Sequence, residues 1–149
     1  MQLTRFTDLG LRALMLLATG DAEDQRVTTR QIAVSAGASE NHVAKAISRL
    51  VDLGLVHARR GRVGGLSLTD AGRQVSIGRL VRELEGDREV VECGGQTPCP
   101  LIAGCRLRRA LAEAKAAFYA ELDRYTVADL VRSPALQLIS LTPMEGTNR

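Results

Sequence analysis

Cys93, Cys99 and Cys105 are the only thiols in the 149-residue sequence, and five residues separate each from the next. All three lie in one stretch, CGGQTPCPLIAGC. Thiols gathered in a cytosolic chain point to metal chemistry, because a reducing compartment keeps them from pairing, and an odd count argues against a disulfide framework. Zinc sites pair their cysteines at short spacing and need a fourth ligand. This stretch has neither the short pairing nor a fourth cysteine. Wide, even gaps suit a larger object that the loop wraps around, such as an iron–sulfur cluster. Gly94, Gly95 and Gly104 let backbone approach closely. Pro98 and Pro100 stiffen the chain on both sides of Cys99. The alternative is three unrelated free thiols, but a polar, glycine-rich stretch is a poor home for structural cysteines.

A second group of residues has the chemistry of DNA recognition. Lys45, Arg49, Arg59, Arg60 and Arg62 stand against a single acid, Asp52, between positions 45 and 62. Asn41 can read adenine and Lys45 can reach guanine or phosphate. Arg59, Arg60 and Arg62 cluster with Gly61, Gly64 and Gly65, a presentation that suits a narrow minor groove. His42, Ser48 and Arg49 share or flank the same outward helix face, and Thr28 and Ser39 stand at the two helix starts; all are candidate DNA contacts. Taken singly, Lys45 and Arg49 are equally well read as solvated helix charges. The only other histidine, His57, is expected on a wing strand. No nucleophile–base pair is apparent, so the chain reads as a binding protein and not an enzyme.

These residues need elements to hold them. Leu11, Leu14, Met15 and Ala18 recur at helical spacing in DLGLRALMLLATG, where Thr7 and Asp8 are suited to cap or charge a helix N-terminus. Residues 21–26 read as a loop. Thr28 with Gln31 forms a capping-box pattern before a short helix that Gly37 ends. Ser39 can cap a second helix with Val43, Ile47, Leu50 and Leu53 inward, stopped by Gly54. Two β-segments, Leu55–Arg59 and Gly65–Leu68, flank a glycine-rich turn. Two helices and a hairpin make a winged helix-turn-helix. Ser76 starts another helix with Ile77, Leu80, Val81 and Leu84 on one face. After the cysteine loop, Leu107, Leu111, Ala114, Phe118, Leu122 and Tyr125 mark a long helix over roughly 106–125, and Thr126 caps a short one. The long-helix stripe is either a dimer seam or part of an intramolecular core. The fold class expected is therefore mainly α. Residues 1–75 are expected to form a winged helix-turn-helix domain, 76–143 a cysteine loop for a cluster and the long helix that would serve as the dimerisation helix if its stripe is a seam, and 144–149 a loose tail.

Composition agrees with a helical core. Hydrophobic residues make up 45% of the chain, aromatics 3%, and tryptophan is absent. A net charge of +3 and a pI near 9.1 are mildly basic. No apolar run approaches a membrane span, and the N-terminus lacks a signal-peptide pattern. A cytoplasmic location and no membrane partner are expected.

LTRFTDLGLRALMLLA at the start, RGRVGG in the wing, three cysteines and a long helix after them resemble the bacterial iron–sulfur winged-helix repressors. The resemblance covers roughly residues 1–132. The ending CRLRRALAEAKAAFYAELDRYTVADLV is most similar to the nitric-oxide-sensing members. It implies a homodimer joined through the long helix, a palindromic double-stranded DNA operator, and Cys93, Cys99 and Cys105 as cluster ligands. Cluster-biogenesis members of the family carry a histidine ligand three residues after the last cysteine; here that position is Arg108, which cannot ligate. One ligand position is then open, and the candidates are Glu85, Asp87, Glu89, Glu92 and, across the dimer, Asp8 from the partner subunit. The favoured expectation is Asp8, a [4Fe–4S] cluster in preference to [2Fe–2S], and nitric oxide as the signal that releases DNA from detoxification genes. The alternatives are a winged-helix redox regulator using a [2Fe–2S] centre or bare thiols, and a small electron-transfer protein.

Overall fold

The computed structural model describes residues 2–19, 27–59, 61, 64–86 and 88–132. The N-terminal helix α1, Arg5–Thr19, buries Leu9, Ala13, Leu14 and Leu17, and so supplies the spine of the core. It starts earlier than the apolar period alone suggests. Thr4 Oγ1 accepts the Thr7 N–H at 3.3 Å, and this capping contact belongs to Thr4 rather than Thr7 or Asp8. Thr7 is wholly buried and Asp8 lies inside the first turn.

Helix α2, Thr29–Ser35, opens on a complete capping box, in which Gln31 N–H donates to the Thr28 hydroxyl and Thr28 N–H donates back to the Gln31 side chain. Gly37 at φ 60° makes the turn into α3, Glu40–Asp52. That φ lies in the left-handed region, where glycine carries no side-chain penalty. Val43, Ala46, Ile47 and Leu50 face the core, and α1 packs on them. Strands β1, Val56–Arg59, and β2, Gly65–Leu68, pair antiparallel with Arg59 opposite Gly65. Leu66 also bridges to Val27, which ties the hairpin to the start of the two-helix unit.

A short helix, α4 (Asp70–Gln74), joins the hairpin to α5, Ile77–Glu85. The long helix α6, Arg106–Leu122, follows the cysteine loop, and α7 is Val127–Leu130. Helix α5 lies against α6 so closely that a Cβ at Gly78 would sit 2.4 Å from the Tyr119 carbonyl oxygen. One cluster of buried apolar side chains extends from Leu9 through α3 and α5 to Val127. Among the described residues, no helix is long and apolar enough to cross a membrane. The expected loop at 21–26, the wing arginines Arg60 and Arg62, Asp87 and the tail lie outside the described residues.

Candidate metal centre and nucleic-acid interface

The three cysteines are free. Cys93 is buried, and Cys99 and Cys105 are half-buried. Short turns shape the loop: Cys99 N–H donates to the Cys93 carbonyl at 3.0 Å, Ile102 N–H to that of Cys99 at 3.1 Å, and Gly104 N–H to that of Leu101 at 3.2 Å. Cys105 is the N-cap of α6, and its sulfur accepts the Arg108 N–H at 3.4 Å. Burial pushes the Cys93 thiol up, and the nearby Cys99 and Glu89 add to this. Arg108 opposes it. The Cys99 and Cys105 thiols both bear on that of Cys93. Yet among the described residues no three His, Cys, Asp or Glu side chains converge as a single ion would require. Three soft thiols on a glycine-rich loop are a donor set that fits an iron–sulfur group.

Arg108, three residues after Cys105, is held in an ion pair with Glu89. Arg108 Nε donates to Glu89 Oε2 at 3.0 Å, and its Nη2 donates to the other carboxylate oxygen. Arg108 holds the Glu89 carboxyl below the usual range. Glu85 is committed elsewhere, accepting the Thr4 N–H at 2.7 Å and the Thr4 hydroxyl at 2.9 Å. Glu92 lies beside Gly95, within the loop. Asp8 is half-exposed and accepts from Arg12 Nε at 2.7 Å. A cavity of about 830 Å³ opens between the loop and α6, lined by Glu89, Ile102, Cys105, Arg108, Lys115 and Tyr119 among others.

The expected DNA-facing residues form a second constellation. Asn41, His42, Lys45, Ser48 and Arg49 are all exposed on α3, opposite its buried stripe. Ser39 caps the helix and its hydroxyl lies 2.9 Å from His42 Nδ1. Thr28 is exposed, but its hydroxyl serves the α2 capping box. Arg59 is exposed at the end of β1, and His57 is exposed on the same strand, as the sequence suggests. Arg49 does not stand free: its guanidinium reaches Glu83 on α5 at 3.5 Å. Sequence reasoning missed this pair and the Arg108–Glu89 pair, because partners 34 and 19 residues apart leave no local pattern.

A helix pair with a hairpin beside it, an exposed polar face on the second helix and a thiol-bearing loop before a long helix define a winged-helix transcriptional regulator. Residues 3–133 match the Rrf2 family, described as iron-dependent transcriptional regulators, and the chain belongs to that family. The HTH-type transcriptional repressor NsrR of Streptomyces coelicolor is 60% identical over 134 residues, covering 90% of each chain. Among solved structures, CymR, the global cysteine regulator of B. subtilis, is 25% identical with a TM-score of 0.67, over 87% of this chain and 95% of that one. IscR of T. potens shares the fold at 24% identity and a TM-score of 0.65, over 88% of this chain and 86% of that one.

Proposed function

We propose that this chain is a cytoplasmic transcriptional repressor that binds a palindromic operator as a homodimer and responds to nitric oxide through an iron–sulfur cluster, [4Fe–4S] in preference to [2Fe–2S]. The observation that carries the reading is the confinement of all three free thiols to one loop that leaves α5 and caps α6. The Streptomyces coelicolor relative is a transcriptional repressor, which supports the same role here. The nitric-oxide signal follows from the sequence resemblance.

In this reading Cys93, Cys99 and Cys105 hold the cluster and Asp8 of the partner subunit completes its ligands. When bound, such a cluster supplies iron that takes up nitric oxide, most readily where a carboxylate oxygen is the weakest ligand. The chain's own part is mechanical. The cysteine loop leaves α5 at Gly86, whose φ of 74° allows the sharp exit, and enters α6 at the Cys105 cap. A change in the loop therefore bears on both helices at once. Residues 1–75 act as the DNA-binding domain, with Thr28, Ser39, Asn41, His42, Lys45, Ser48 and Arg49 near the groove and Arg59, Arg60 and Arg62 on the wing. Residues 76–143 carry the sensor and the dimer seam. The N-terminal part of the α6 stripe supports a seam, since Leu107 is 63% exposed, whereas Phe118 and Leu122 pack against the protomer's own core. A two-state response requires that DNA affinity differ between the states.

Mass spectrometry of the intact protein, prepared anaerobically, before and after nitric oxide, tests this reading. A dimer carrying one cluster per protomer, altered by nitric oxide together with loss of operator protection, is the expected result. A cluster-free dimer that still answers oxidants would point to sensing by bare thiols, and DNA that stays bound under nitric oxide would exclude that signal.

A further inference from the structure

The last turn of α5 sends three side chains to three different elements. Arg82 pairs with Asp123 at the end of α6. Glu85 accepts from Thr4 at the start of α1. Glu83 meets Arg49 on α3 at 3.5 Å. The first two brace helices that pack together nearby. The third holds a side chain that has other uses. Arg49 follows Lys45 by one helical turn, so the two share a side of α3. That side is the exposed one, and a second helix of this kind lies in the major groove with its flanking cations on phosphates.

The Arg49–Glu83 pair is not locked. Its side chains are 43% and 44% exposed, and pairs of this kind break at little cost. A guanidinium binds carboxylate and phosphate by the same planar fork, so one Arg49 serves only one of them well at a time. We propose that Glu83 limits the grip of α3 on DNA by competing with a backbone phosphate for Arg49. The proposal rests on α3 being the recognition helix. Glu83 is a positioning residue that acts through Arg49 and does not touch DNA. It lies in the last turn of α5, ten residues ahead of Cys93.

The test uses full-length protein, purified anaerobically, and a duplex that this protein selects from a random-sequence pool. Affinities are compared for the unaltered chain, Glu83→Gln, Arg49→Gln and the double variant. Glu83→Gln should tighten binding about two- to fivefold, the scale of an exposed ion pair. Arg49→Gln should weaken binding and lower the salt slope by about one unit. In the Arg49→Gln background, Glu83→Gln should change nothing. That last arm separates competition from a general loss of negative charge near DNA, which would tighten binding in both backgrounds. Glu83→Gln that weakens binding or leaves it unchanged, Arg49→Gln without effect, or tightening that persists in the double variant would each overturn the proposal. If the unaltered chain selects no duplex, the recognition-helix reading itself fails.

Discussion

Arg108 and Glu89 face each other across the mouth of the cysteine loop, with the Arg108 Nε 3.0 Å from Glu89 Oε2 and a second hydrogen bond beside it. Arg108 stands three residues after Cys105, the last of the three thiols. An arginine cannot coordinate iron, but it can pin the loop to α6. Arg108→Ala and Glu89→Gln should each speed hydrogen exchange of the amides over 90–104 and leave the α1–α3 amides unchanged. Equal exchange in all three proteins would show that the pair does not hold the loop.

Cys93→Ala, Cys99→Ala and Cys105→Ala should each abolish stable cluster incorporation, since two thiolates are too few to retain it. Iron and sulfide analysis of anaerobically prepared protein reads this directly. Specific DNA affinity should fall with it if the cluster-bound form is the binder. Variants that keep the full iron content would remove the ligand assignment.

Asp8→Ala should leave a cluster with altered absorbance and circular dichroism and lower stability, and Asp8→Cys one that reacts more slowly with nitric oxide. Helix α1 should tolerate both changes, because its start is capped at Thr4 and the Asp8–Arg12 pair is an exposed i,i+4 contact of small worth. Wild-type spectra for Asp8→Ala, with a changed spectrum for Glu92→Ala, would move the role to Glu92.

Asn41→Ala or Lys45→Ala should relax base preference, at ~1–3 kcal/mol for a lost bidentate contact. Arg60→Ala and Arg62→Ala should weaken binding more evenly across sequences, with the salt slope falling by about one unit per lost phosphate contact. Competition binding against substituted duplexes distinguishes the two patterns.

Gly78→Ala should cost about 1–3 kcal/mol in urea unfolding, because the new methyl has no room between α5 and α6. The closest atoms are the Tyr119 carbonyl oxygen and Asp123 Oδ1, both 2.4 Å away. Asp123 also receives Arg82 and, at 2.7 Å, the Ser76 hydroxyl. The Arg82 hydrogen bond, then that of Ser76, hold its carboxyl below the usual aspartate range. The stabilisation is therefore complete above the ordinary aspartate range and lost as pH falls through the depressed value. Asp123→Asn should be less stable than the unaltered protein at neutral pH, and the two should converge in acid.

Local signals carried most of the fold. Thr28, Ser39, Ser76 and Thr126 cap the helices the sequence places after them, and the two strands fall within a residue of their expected ends. The short helix α4 escaped notice because Gly72 weakens its propensity. That glycine is required by packing, since a Cβ there would lie 2.2 Å from the Leu55 carbonyl oxygen. The long helix ends at Leu122, earlier than its apolar period suggests, with Asp123 as its C-cap. Of the candidate site, the cysteines and the outward face of α3 were legible from spacing alone. The ties from α5 to Thr4, Arg49 and Asp123 join residues remote in sequence, and no pattern along the chain announces them.

Cys105 begins a helix with a residue that helix physics would not choose. Serine caps helix starts well, and serine or threonine stands at the start of the six other described helices. A single atom separates the two residues, oxygen for sulfur. Cys105→Ser would therefore keep the helix start while withdrawing the softer donor. That exchange turns one position into a natural control, able to tell a fault in folding from a fault in sensing.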